Sequence, residues 1–231
     1  MYMETVSNRP PLFSNRALVA LTIPVILDAL LSIIMGAVDS VMVSSAGETA
    51  VSAVSLVDAI NIVFISFYAA LSTGGSVVVS QYIGSRELDK AKICVRQILY
   101  AGLIVSVFFS VLLISLNEQT LKLVYGNLDQ DVFDQAKTYF WITALGFPFS
   151  IIGTTSTATL RAMARNKESV TISMTMNVVN IAGNAILIYG FDMGVAGAAI
   201  ATTFGRFVFA IMGLISVHRK SLPVRYETLW R

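Results

Sequence analysis

The stretch VSAVSLVDAINIVFISFYAALSTGGSVVVSQYI, residues 51–83, decides the fold class. It carries a single formally charged side chain, Asp58. As a straight helix it would be about 50 Å long, at ~1.5 Å per residue. A bilayer core is ~30 Å thick and needs about 20 mainly apolar residues to cross it. The run therefore spans a membrane with length to spare. It must project into the cytoplasm or bend, and Gly74-Gly75 is where a bend fits.

Five further apolar runs flank it: Leu18–Val43, Ile98–Leu116, Ala136–Met163, Val170–Tyr189 and Val195–Val217. The composition agrees. The chain has 231 residues, 55% hydrophobic and 13% charged, with a mean hydropathy of +0.74. Soluble domains are roughly 45–50% apolar and about 25% charged. So little polar surface excludes a cytosolic enzyme, a nucleic-acid binder and a disordered chain. A net charge of +2 is too small to seek a polyanion, so no nucleic-acid partner is expected. One cysteine, Cys94, makes no intramolecular disulfide, and one histidine, His218, makes no zinc cluster. There is no HExxH, GxSxG or Walker loop, so no enzyme and no cofactor are expected. The fold class expected is all-α: a polytopic membrane bundle of six transmembrane helices spanning residues 18–217, after a cytoplasmic lead-in at 1–17. The first apolar run is too long for a cleavable signal peptide. No internal repeat is visible among the six helices.

Orientation follows from the basic residues. Arg9 and Arg16 precede the first span. Arg86, Lys90, Lys92 and Arg96 lie between the second and third. Arg161, Arg165 and Lys167 lie between the fourth and fifth, and Arg219, Lys220, Arg225 and Arg231 follow the sixth. That places 13 of the 16 Lys and Arg residues on one side. Both termini are expected in the cytoplasm, in a multi-pass protein of the cell (inner or plasma) membrane.

Charged groups at membrane depth are costly and face a cavity or a partner. There are four: Asp28, Asp39, Asp58 and Arg206. Asp28 and Asp39 differ by about 20° around the helix axis and ~16 Å in depth, so they share a face. A carboxyl group there can release or take up a proton, or exchange it for a sodium ion. Asp39 reads equally as a hydrogen-bonded helix end near the interface. Arg206 and Asp28 lie at nearly the same depth, which suggests an ion pair holding two helices together. Asp58 and Asn61 are candidates for the same interior. In the fifth span Asn177, Asn180 and Asn184 stand at i, i+3 and i+7 and form one stripe. Amide oxygens on one face can ligate a hard cation, or the amides can simply bond between helices. Gly197, Ala201 and Gly205 form a small-residue stripe for close helix packing. Pro24 and Pro148 sit inside spans and permit kinks. Trp141, Tyr139, Tyr125 and Tyr189 read mostly as interface aromatics.

Several stretches, in order, resemble the MATE (multidrug and toxic compound extrusion) transporters. They are IPVILDALLSIIMGAVDSVMVSSAGETAVSAVSL at 23–56, SQYIGSRELDKA at 80–91, LRAMARNKES at 160–169 and GVAGAAIAT at 194–202. The resemblance covers about residues 16–217. It implies the N-terminal six-helix lobe of a two-lobed transporter, with residues 218–231 as the start of a cytoplasmic linker to a second lobe. It also implies antiport driven by a Na⁺ or H⁺ gradient, exporting cationic or amphipathic drugs or metabolites. By the resemblance Asp39, Asn180, Asn184 and Thr202 belong to the cation-coupling site, and Pro24 is the bend of the first helix. Asn184 falls where some members carry an acid. Position 28 is commonly Gln in relatives and is Asp here. LRAMARNKES lacks the two glycines of the more usual LRGxGDTK. Thr157, Ala158 and Thr159 stand where some members carry an Asn. The alternatives are a lipid-linked saccharide flippase of the same superfamily, or a non-transporting membrane subunit.

Overall fold

The computed structural model describes residues 15–218 and Val224. Several side chains in the first half of the first helix, Pro24 and Asp28 among them, lie outside the described residues. Among the described residues there is helix and no strand. The long helices are α1 (Asn15–Ser44), α2 (Glu48–Gly84) and α3 (Leu88–Ser115). A short α4 (Asn117–Tyr125) is followed by α5 (Gln130–Ala144), α6 (Phe147–Ala162), α7 (Asn166–Asn184) and α8 (Gly194–Val217). A π-helical turn, Ala185–Gly190, extends α7. Among the described residues four are long and apolar enough to cross a membrane: α2, α3, α7 with its π turn, and α8.

The helices are apolar on both sides. On α2 the face of Ala50, Ala53, Val54 and Val57 is buried, while Val63 and Phe67 on the other side are 64% and 49% exposed. A helix that is hydrophobic all round belongs in lipid or a deep core. Here the outward apolar faces of α2 and α3 (Ile104 is 71% exposed) are the surface a bilayer would cover.

Helix α2 is continuous through Gly74-Gly75. Gly75 serves packing there, since a Cβ would fall 2.3 Å from the Ile98 side chain of α3. One expectation is corrected. The fourth apolar run, read as one span, is two helices, α5 and α6, parted at Leu145-Gly146. Pro148 stands in the first turn of α6, where it has no helical N–H to lose. The small-residue stripe does pack closely. A Cβ on Gly205 would meet the Met176 carbonyl of α7 at 3.3 Å, and one on Gly183 would meet Ala201 at 2.9 Å.

The connection after α6 shows what the missing glycines cost. Arg165 N–H donates to the Leu160 carbonyl at 2.8 Å, and Ala164 closes the turn at φ 59°. An L-residue in that left-handed region costs about 1–2 kcal/mol, whereas glycine does not pay it. Ala164→Gly should therefore stabilise the folded chain by roughly 0.5–1 kcal/mol after glycine's greater unfolded-state entropy is subtracted. Thermal unfolding in detergent should show a higher midpoint, with Gly84→Ala, at an open helical position, as a reference variant.

Candidate functional site

The break between α5 and α6 builds one wall of the site. In a continuous helix the Ala144 carbonyl would accept from residue 148, but proline has no N–H. Ser110 Oγ of α3 donates to it instead at 2.8 Å. Gly146 N–H turns to the Thr143 carbonyl, leaving the Ile142 carbonyl to Thr203 Oγ1 of α8 at 3.0 Å. Arg206 Nη1 also donates to the Thr143 carbonyl, at 2.9 Å. Gly146 is required here, because a Cβ would lie 2.9 Å from Arg206 Cδ. Three carbonyls loosened by the break are thus taken by side chains of α3 and α8. This matters in lipid, where no water replaces a lost partner.

The break turns polar groups of α5 and α6 towards α2, α7 and α8. They line a cavity of about 440 Å³ together with Asp39, Asp58, Asn61, Asn177, Asn180, Thr202 and Arg206. Asn184 Nδ2 donates to Asp39 Oδ1. Asn180 Nδ2 donates to Thr202 Oγ1 at 3.1 Å. Asp58 Oδ1 accepts from Tyr139 Oη at 3.2 Å and from Asn61 Nδ2 at 3.3 Å. Asn61 also donates to Thr143 Oγ1 at 3.2 Å, which ties the α2 pair to the helix break. The two carboxylates feel each other's charge, and Asp58 and Arg206 interact as well. Asn184 Oδ1 is buried and receives no donor. Carboxylate, amide and hydroxyl oxygens suit a hard cation or a proton. No group of three or more His, Cys, Asp or Glu among the described residues could hold a metal ion.

The residues expected from the sequence come together as follows. Asp39, Asp58, Asn61, Asn177, Asn180, Thr202 and Arg206 line one cavity, and Asn184 stands behind Asp39. The Asn stripe divides its labour, Asn184 to α1, Asn180 to α8 and Asn177 to the cavity wall. The Asp28–Arg206 pair and the Pro24 bend fall on side chains outside the described residues. What Arg206 does hold is the Thr143 carbonyl, with Phe147's ring beneath its guanidinium at 5.9 Å. Tyr139 is a correction: read as an interface aromatic, it is 1% exposed and binds Asp58. Ser150 and Thr154 were not anticipated as wall residues, nor was Thr143, which is buried behind the wall and holds Asn61. The signal for the wall pair was their i, i+4 spacing on one helix face.

A multi-helix membrane chain with a half-open, largely apolar cavity that carries two acids and a set of amides and hydroxyls fits a transporter. The family model MatE matches residues 24–186. The chain belongs to the MatE family, which comprises membrane transporters and not enzymes. It is 27% identical over 222 residues to the "Uncharacterized transporter YisQ" of Bacillus subtilis, covering 94% of this chain and 48% of that protein. It is 29% identical over 217 residues to the mouse "Multidrug and toxin extrusion protein 2", covering 93% and 37%. A solved outward-facing multidrug resistance MATE family transporter superposes with a TM-score of 0.84 at 21% identity, covering 91% of this chain and 46% of that one. The chain thus spans about half the length of the relatives it matches, or less.

Ser110→Ala tests the break. It leaves a buried carbonyl without a donor, a loss of ~1–3 kcal/mol. The unfolding midpoint in detergent should fall, whereas Ser80→Ala, whose exposed hydroxyl bonds only within its own helix, should leave it unchanged.

Proposed function

We propose that this chain is the N-terminal lobe of a secondary transporter that exports cationic or amphipathic compounds in exchange for Na⁺ or H⁺. The observation that carries this reading is Asp39 on the cavity wall, bonded to Asn184 beside an amide oxygen that has no donor. Asp39 is the coupling acid. Asn184, Asn180 and Thr202 are the neutral oxygens that complete its site for a cation, and they hold the carboxyl when it carries a proton. The relatives named as extrusion and export proteins support export as the direction. A second six-helix lobe, in the same or a partner chain, completes the assembly, because alternating access needs two bodies moving about one site. The basic connections support a reading with both termini on the cytoplasmic side of a cell membrane.

The test is ethidium efflux from vesicles carrying the native assembly. Efflux should require an inward Na⁺ or H⁺ gradient. It should drop to the level of empty vesicles in Asp39→Asn, with the variant still inserted and folded. Full activity in that variant, or efflux indifferent to both gradients, contradicts the reading.

A further inference from the structure

The α2 wall carries a second carboxylate that the Asp39 cluster does not use. Both hydrogen bonds to Asp58, from Tyr139 and Asn61, end on Oδ1. Among the described residues no donor reaches its Oδ2, and Asp58 makes no ion pair. One turn on, Asn61 is 1% exposed. Its Nδ2 serves Asp58 Oδ1 and Thr143 Oγ1, and the carboxylate fixes that orientation, since a flipped amide would set oxygen against oxygen. Asn61 Oδ1 is left buried without a donor. Such an acceptor is costly to leave unmet. Two adjacent oxygens thus lack donors on a wall that lines the cavity.

Arg206 does not satisfy them. Its Nη1 is committed to the Thr143 carbonyl, and its charge offsets only one of the two carboxylates. With Asp39 and Asp58 both ionised, the described cavity carries an excess negative charge. What fits is a cation that also brings N–H groups. We propose that Asp58 and Asn61 receive the ammonium group of a protonated primary or secondary amine, separately from the ion at Asp39. Asp58 supplies the charge, Asn61 Oδ1 takes one N–H, and Tyr139 is a positioning residue that holds the carboxylate. Met35, Ile65 and Phe209 offer apolar surface to the rest of the molecule. This rests on the reading of the cavity as the transport cavity and names the class of cargo it takes.

The experiment is equilibrium binding to the native assembly in lipid nanodiscs. One probe is dansylcadaverine, which carries a primary ammonium; the other is its N-acetylated form, which is neutral. The wild-type chain should prefer the ammonium form. Asp58→Asn should weaken the ammonium probe by about tenfold or more and leave the neutral one unchanged. Asn61→Ala, which keeps the charge, should lower the ammonium probe's affinity to a smaller degree and again spare the neutral one. Asp39→Asn should retain the preference. Equal losses for both probes, or wild-type binding in Asp58→Asn, overturn the proposal. So does Na⁺ binding lost in Asp58→Asn while the ammonium affinity stays. If Asp58→Asn does not fold, Asn61→Ala decides by the same criterion. Gradient-driven efflux that persists while the ammonium preference is absent overturns this inference alone; absence of gradient-driven efflux overturns the wider reading.

Discussion

Pro148 cannot give the Ala144 carbonyl a hydrogen bond, and the rest of the site depends on how that is met. In water the carbonyl would find a solvent molecule. In a bilayer it must find a side chain. Ser110 meets it from α3, and Thr203 and Arg206 meet its neighbours from α8. The break between α5 and α6 is therefore a junction held by α3 and α8. Tyr139 of α5 and Ser150 and Thr154 of α6 line the cavity on either side of it, with Thr143 buried behind them.

The same junction sets the charge pattern. Arg206 bonds the broken turn, stacked over Phe147, and its charge acts on the α2 acid with no ion pair between them. A clasped pair would be closed to any ligand. Held at a distance, the cation offsets part of the acidity and leaves carboxylate oxygen open. Asp39 lies across the cavity with its own amide, so two acidic positions share one space and one positive counter-charge.

Much of the architecture was legible in the sequence because lipid imposes a crude and strict code. Apolar runs of the right length gave the spans, and Gly197, Ala201 and Gly205 at fixed spacing gave the α7–α8 contact. The cluster of Asp39, Asn180, Asn184 and Thr202 was legible because helical spacing put its Asn residues on one stripe and the resemblance supplied the rest. The break at Gly146 was not, since Pro148 in an apolar run permits a kink, a full break or neither. What decides is whether neighbouring helices can supply donors, and Ser110 is 34 residues away from its acceptor. Tyr139 was misread for a related reason. A tyrosine near a span's end is usually an interface anchor. Only its contact with Asp58, 81 residues earlier, shows otherwise. Gly75 fits against Ile98 of α3, a contact that the glycine pair alone does not reveal.

The site stands on a half-open, water-accessible cavity that carries acids and amides inside an apolar shell. Cys94 is the one cysteine, so Cys94→Ser gives a clean background for single-cysteine labelling. In intact membranes a charged, water-soluble thiol reagent should modify Asn177→Cys and Thr154→Cys on the cavity wall. It should leave Ile104→Cys and Phe108→Cys, on the outward face of α3, unmodified. Modification of the α3 face with none at the cavity positions would contradict the account.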